Sequence, residues 1–163
     1  MTAVDETMAA INEAVTLGRQ GNPGQAREQL AALWVTIGAG GDALHRVSLA
    51  HFLADLEDHA ADALTWDIRA LDAADSLTQE RAERHHAGLS VAGFYPSLHL
   101  NLADNYRRLG AFETAHRHLD AARARLDTLD EDGYGLGVRA GIANVEAALS
   151  NNSTERLATH PAV

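Results

Sequence analysis

A chain of 163 residues with 46% hydrophobic and 22% charged residues has the composition of one soluble globular domain, and no apolar run is long enough for a membrane span. Its net charge of −10 disfavours nucleic acid or a membrane surface as a partner, and the lack of cysteine excludes disulfides, thiolate metal sites and cysteine nucleophiles. The first residues form no apolar signal segment, so we expect a cytoplasmic protein.

Alanine and leucine are abundant, aromatic residues make up only 5%, and there are three prolines, which favours helix almost throughout. We therefore predict an all-α fold. In chain order the predicted helices span 3–20, 23–38, 42–57, 60–75, 97–109, 112–129 and 135–149. The segment 76–94 has no long helical pattern, although Thr78 could start a short helix there.

The clearest repeat unit lies between residues 98 and 129. One helical stripe contains Leu98, Leu102, Tyr106 and Leu109, and it is followed by Gly110, which permits a tight turn. A second stripe then consists of Ala115, Leu119, Ala122, Leu126 and Leu129. This pattern predicts a helix-turn-helix hairpin whose two backbones approach closely at small alanines.

The same spacing recurs earlier in the chain. Gly21 precedes Ala26 by five residues, as Gly110 precedes Ala115. A weaker copy occupies about residues 49–70, with Asp58 in place of the turn glycine. After the third hairpin, an amphipathic helix with Val138, Ile142, Val145 and Leu149 fits a cap over its open end.

Leu102-Ala103, Tyr106, Leu109-Gly110, Phe112, Ala115, Leu119 and Ala122 resemble the signature of one tetratricopeptide repeat (TPR). The resemblance implies about three antiparallel hairpins and a C-terminal capping helix within 1–150, forming a right-handed α-solenoid or a compact helical array. Ala63 and Ala115 are 52 residues apart, against a family period of about 34. This difference indicates an insertion around 77–95. We expect the polar tail 151–163 to be frayed or disordered.

In proteins of this family the first helix of each hairpin commonly lines a concave surface that binds a peptide or a partner helix. The resemblance places seven residues on such a groove: His51, Phe52, Asp55, Asn101, Asp104, Asn105 and Arg108. Asn12 and Arg19 are weaker counterparts in the first hairpin. Asn101 resembles the family asparagine that holds a peptide backbone. The alternative is a polar helix face that only contacts solvent.

Nine histidines raise the possibility of a metal site, but only His51 and Asp55 have ligand spacing on a helix, and no third ligand is near in sequence. The loop 128–135 is not a calcium loop, because Arg139 would stand where the closing acid belongs. No catalytic motif is present. We therefore predict no catalytic residue, no metal and no cofactor.

Phe94-Tyr95-Pro96 places two aromatic side chains before a predicted helix. We expect them to pack the insertion onto the third hairpin, with an aromatic anchor at the groove rim or a dimer contact as the alternative. The leading hypothesis for the chain is a scaffold or adaptor that binds a protein or peptide and has no catalytic activity. The alternatives are a self-associating module that forms a homo-oligomer, and a small-molecule or metal-dependent helical enzyme.

Overall fold

The computed structural model describes residues 3–158 and confirms the all-α prediction: helix accounts for 74% of this part of the chain, which has eight α-helices and no strand. The helices are α1 (Glu6–Arg19), α2 (Pro23–Ile37), α3 (Ala43–Asp55), α4 (Ala60–Ser76), α5 (Gln79–His85), α6 (Tyr95–Arg108), α7 (Phe112–Arg123) and α8 (Gly133–Ser150). Single turns of 3₁₀ helix lie at Ala92–Phe94 and Leu126–Thr128.

Side-chain caps start four of these helices. The carboxylates of Asp5, Asp42 and Asp132 accept hydrogen bonds from backbone N–H groups in the first turns of α1, α3 and α8, and the Thr78 hydroxyl does the same for α5. Each cap satisfies donors that have no partner inside the helix. Gly110, between α6 and α7, has a φ of +78°, a conformation that favours glycine.

Consecutive helices pack against each other in three pairs, α1 with α2, α3 with α4, and α6 with α7. Small side chains stand at these contacts: Ala14, Ala26, Ala103 and Ala115 have no exposed surface. The burial of Ala115 agrees with the predicted close approach of the two helices in the third pair. In addition, α4 packs against α6, and α8 packs against both α6 and α7.

Two hydrophobic clusters form the core, and α6 contributes to both. Leu98 belongs to the cluster built mainly by α1 to α4, whereas Leu100 and Ala103 belong to the cluster with α7 and α8. A helix that contacts both clusters has little surface left for solvent, and α6 has ten buried residues. The polar residues of α6 are therefore drawn into the interior together with its leucines.

Two details differ from the sequence-based expectation. The helix predicted to reach residue 129 ends at Arg123, and Leu129 joins the second cluster from beyond the 3₁₀ turn. Leu109, predicted to share the inward stripe of Leu98 and Leu102, is 47% exposed. It follows the last residue of α6, so its side chain lies beyond the surface that α6 packs against its neighbours.

The segment 77–95, predicted as an insertion, contains α5 and the first 3₁₀ turn. Arg81 of α5 donates hydrogen bonds to Asp42 (2.7 Å) and Asp5 (3.1 Å), and His45 contacts Asp5 at 2.9 Å. This cluster joins the starts of α1 and α3 to α5. Burial opposes ionisation of Asp5, but the hydrogen bonds from His45, Met8 and Arg81 outweigh it and lower the Asp5 pKa to about 2.

Of the predicted C-terminal tail, residues 151–158 are described and 159–163 lie outside the described residues. The Ser153 carbonyl accepts a hydrogen bond from Arg107 Nη1 at 2.7 Å, and Leu157 packs against the second cluster. This part of the tail therefore lies against α6 and the core.

Candidate functional site

The seven predicted groove residues line two neighbouring cavities. The larger one, called here the groove, has a volume of about 780 Å³, and His51, Phe52 and Asp55 line it. The smaller one, called here the polar cavity, has a volume of about 100 Å³ and is lined by Asp55, Asn101, Asp104, Asn105 and Arg108. Asp55 and Arg156 line both cavities, so the two are contiguous.

The walls of the groove come from α1, α3, α6 and the start of α8. Its apolar side chains include Val15, Val47, Phe52, Leu56 and Leu98, and its polar side chains include Arg19, Ser48, His51, Asp130 and Asp132. An apolar surface with a small number of polar groups is typical of binding pockets. Arg19, predicted as a weaker groove residue, thus lies on the groove, whereas Asn12 is an exposed residue that does not line it.

The insertion forms one side of the groove through Gly88, Leu89, Ser90, Gly93 and Phe94. Tyr95, the other aromatic residue of the group 94–96, does not line the groove. Tyr95 donates a hydrogen bond to Asp75 Oδ1 at 2.8 Å and so joins α6 to the end of α4. Phe94 therefore takes part in the groove wall, while the hydrogen bond of Tyr95 links the third helix pair to α4 and not to the insertion, which differs from the packing role expected from the sequence.

A buried carboxylate that the sequence analysis missed lines the polar cavity. Asp67, on α4, is only 2% exposed and accepts a hydrogen bond on Oδ2 from Asn105 Nδ2 at 2.6 Å. Its other oxygen, Oδ1, has no hydrogen-bond partner, and neither has Oδ1 of Asn101, which is also 2% exposed. Burial, and then the charge of Asp55, raise the pKa of Asp67 well above its usual value.

Arg107, rather than its predicted neighbour Arg108, makes the deepest ionic contact of α6. Its side chain has no exposed surface, and Nε and Nη2 donate to Asp104 Oδ1 at 2.9 and 2.7 Å. With the bond to the Ser153 carbonyl, this guanidinium fixes both Asp104 and the tail. Arg108 is more open, and Nη2 donates to the Asp58 carbonyl at 3.1 Å. Burial lowers the pKa of Arg108.

The structure therefore separates the predicted residues into two groups. His51 and Phe52 stand on the groove, while Asn101, Asp104 and Asn105 are 2%, 6% and 5% exposed and lie inside, around the polar cavity. The expectation that these three α6 side chains form an open stripe does not match their burial. The reason is that α4 packs against α6, and that the tail covers the same region.

Asp67, Arg107 and Arg156 were missed. Arg107 shared a helical stripe with Leu100 and Ala103, three or four residues apart, and this spacing was a signal of burial. For Asp67 the signal was weaker: it lies between Ala63 and Ala70, both buried alanines of α4. No sequence signal pointed to Arg156, because its position depends on how the tail lies against α6.

The histidines do not assemble into a metal centre in the described part of the chain, where no three His, Asp or Glu side chains are placed to hold an ion. His118 contacts His99, with 3.1 Å between the two Nδ1 atoms, instead of His116. Burial is the main cause that lowers the pKa of His99 to about 4. His99 is therefore neutral at pH 7, and burial also lowers the pKa of His118.

Comparisons of the chain with protein-family models, with curated proteins and with solved structures find no match. Among the helices between residues 3 and 158, none is both long enough and apolar enough to cross a lipid bilayer.

Proposed function

We propose that this chain is a TPR-like helical-repeat scaffold that binds an extended segment of a partner protein in the groove, and that it has no catalytic activity of its own. The observation that carries the proposal is the groove itself. It has a volume of about 780 Å³, and its walls come from the first helix of each of the three helix pairs, α1, α3 and α6. These are the helices that line the concave surface in the family the sequence resembles.

The surface chemistry of the groove suits a peptide. Val47, Phe52 and Leu98 offer apolar surface on which side chains of a bound segment can pack. Ser48 and His51 stand beside them and can hydrogen-bond to a peptide backbone. Burial of apolar side chains supplies most of the affinity in such a complex, and polar contacts fix the register.

The repeat pattern gives independent support. The three helix pairs follow the order in which the sequence repeats occur, and Ala26, Ala63 and Ala115, at corresponding positions of the repeats, are all buried. In this proposal the insertion 77–95 widens the space between the second and third hairpins. Phe94 and Leu89 then form a wall that a regular array of hairpins would not have.

A second candidate is binding of a small apolar molecule. The volume of about 780 Å³ falls within the range of roughly 300–1,000 Å³ that is usual for small-ligand pockets. In that case the groove is filled by one compact ligand instead of a chain segment. The two candidates differ in whether the groove selects a peptide or binds only a compact apolar probe.

The test is selection from a displayed library of random peptides of about 12 residues, which reach ~40 Å when extended. Selected peptides are synthesised, and their Kd is measured by fluorescence anisotropy. Ser48→Trp fills the groove, whereas Thr65→Trp adds the same side chain to an exposed position on α4. We expect Ser48→Trp to weaken binding at least tenfold and Thr65→Trp to leave it within twofold.

Failure to enrich any peptide, or equal affinity of the Ser48→Trp variant and the parent, would overturn the proposal. The fluorescent probe anilinonaphthalene sulfonate separates the second candidate from the first. Binding of this probe that Ser48→Trp abolishes, in a protein that selects no peptide, supports a small apolar ligand.

A further inference from the structure

The segment 153–158, called here the strap, leaves α8 through a specific turn. The Asn152 N–H donates to the Leu149 carbonyl at 3.0 Å, and Asn152 has a φ of +47°. The Ser153 N–H donates to the Ala148 carbonyl, also at 3.0 Å. These two hydrogen bonds around a left-handed residue form a Schellman motif, and asparagine adopts that conformation more readily than most residues. The sequence at the end of α8 therefore sets the direction of the strap.

This turn lays the strap on the polar face of α6. Arg107 Nη1 donates to the Ser153 carbonyl at 2.7 Å, and Leu157 packs against the second hydrophobic cluster. Arg156, Leu157 and Ala158 line the polar cavity. The α6 residues that line the same cavity are those that the TPR resemblance assigns to the concave surface, namely Asn101, Asp104, Asn105 and Arg108. The strap therefore covers the part of that surface where a bound segment is expected to lie.

The strap is attached at few points. Only Ser153 and Leu157 are partly buried, and the other four residues of the strap are exposed. The side chain of Arg156 is 56% exposed and lies 3.8 Å from an oxygen of Asp58, which is itself 77% exposed, and such exposed ion pairs contribute little to stability. One hydrogen bond from a buried guanidinium and one apolar side chain are thus the main contacts. A segment held in this way can separate from α6 while the helices stay folded.

We propose that the strap is an intramolecular ligand of the concave surface, and that a partner segment displaces it when this segment extends from the groove onto α6. The inference rests on the proposed function. Arg156 lines both the groove and the polar cavity, so a segment that fills the groove and continues along α6 meets the strap at this residue. The displacing segment is extended, with an apolar side chain in the place of Leu157 and a backbone carbonyl that accepts from Arg107.

The strap lowers the affinity of the chain for such a segment. Because the strap belongs to the same chain, it competes at an effective concentration on the order of millimolar. A partner segment therefore has to offset the contacts of Ser153 and Leu157 before its own contacts with α6 increase its affinity. Releasing the strap is expected to strengthen binding in the groove.

Leu157→Asp is the variant that releases the strap, because it places a charge against the second cluster. Leu136→Asp is the matched control, since Leu136 is 60% exposed on α8 and lines neither cavity. NMR of the full chain follows the side-chain amides of Asn101 and Asn105 and the backbone amides of the strap. We expect Leu157→Asp to shift the two asparagine signals and to give the strap the shifts of an unstructured chain. Leu136→Asp should change neither, and circular dichroism melting checks that both variants are folded.

The first probe is a synthetic peptide with the sequence of residues 151–158, acetylated and amidated at its ends. Added to Leu157→Asp, it is expected to return the signals of Asn101 and Asn105 towards their positions in the parent. It should bind the parent at least tenfold more weakly, because the strap already covers the surface. The same peptide carrying the Leu157→Asp change is expected to bind neither protein.

The second probe is a peptide selected in the groove. Its Kd is expected to be at least threefold lower for Leu157→Asp than for the parent, and within twofold of the parent for Leu136→Asp. If Leu157→Asp does not fold, Leu157→Ala takes its place, and the same order of affinities is expected.

A strap that stays in place in Leu157→Asp, or no binding of the 151–158 peptide up to ~10 mM, which exceeds the effective concentration of the tethered strap, would overturn the inference. So would a selected peptide that binds all three proteins equally, and this result leaves the groove proposal intact. If no peptide is selected but the 151–158 peptide binds Leu157→Asp, the proposed function is wrong, while the strap still covers a binding surface on α6.

Discussion

Replacing Arg107 by methionine tests how α6 holds its polar residues inside the protein. The guanidinium is fully buried and makes three hydrogen bonds, two to Asp104 Oδ1 and one to the Ser153 carbonyl. Methionine keeps the aliphatic length of the side chain but supplies none of these donors. Asp104, only 6% exposed, would then be a buried charge without its partner.

The expected loss of stability follows from that burial. Breaking a buried ion pair by removing one partner costs about 3–5 kcal/mol, because it leaves a buried charge without its compensating partner. In a domain of this size, 1 kcal/mol corresponds to roughly 2–4 °C in Tm, so we expect Tm to fall by about 6–20 °C. Adding Asp104→Asn to Arg107→Met removes the lone charge and should restore about 1–3 kcal/mol.

The assay is urea unfolding followed by circular dichroism for the single and double variants. Arg27→Met is the matched control, since Arg27 is 43% exposed and lies 3.9 Å from Glu57 and Asp58. An exposed pair of this kind contributes about 0–1 kcal/mol. If Arg107→Met costs no more than Arg27→Met, the buried network does not stabilise α6 as described.

Three further outcomes are expected. Ala115→Trp should overpack the contact between α6 and α7 and cost several kcal/mol in urea unfolding, on the order of 3, whereas Ala32→Trp at an exposed position of α2 should change stability little. Asp5→Asn keeps a helix cap but removes the charge. Because the pKa of Asp5 is about 2 in the folded chain, below its usual value of 3.8, the parent should be more stable than this variant above pH 4 and should lose the advantage as pH falls towards 2. The measurement is Tm against pH, and a constant difference would contradict the ionic role of Asp5. Asp67→Asn should raise Tm at pH 8 and have less effect near pH 4, since a carboxyl with a raised folded pKa loses stability as pH increases; a lower Tm at pH 8 would contradict this.

The helices were predictable because their signals are local. Apolar spacing, the turn glycines and the capping residues each act within a few positions, and Ala115 is buried where its spacing from Gly110 placed it. The end of α7 at Arg123 could not be predicted from such local signals. Leu126 and Leu129 continue the spacing of Ala122, so the pattern favours one long helix, and only packing against the second cluster shows the 3₁₀ turn at Leu126–Thr128.

The candidate site was predictable only in part, for a related reason. A helical stripe shows that Asn101 and Asn105 share a face, but what covers that face comes from distant parts of the chain. Asp67 is 38 residues from Asn105, and Ser153 is 46 residues from Arg107. No spacing rule connects such positions. The polar face of α6 therefore looked open in sequence, although α4 and the tail enclose it.

The position of Asp67 links the stability of the chain to its proposed function. For the stability of the chain alone, asparagine would be the better residue at position 67. It could still accept the hydrogen bond from Asn105, and it would avoid the cost of burying a carboxylate beside Asp55. Residues that lower stability are characteristic of binding sites, where the cost is offset when the ligand arrives. The same substitution, Asp67→Asn, is thus expected to stabilise the unliganded chain and to weaken its binding of a selected peptide, because Asp67 lines the cavity that is contiguous with the groove. Stabilisation with unchanged binding would leave the buried carboxyl without a role in recognition, whereas both effects together would connect the cost of burying Asp67 to peptide binding.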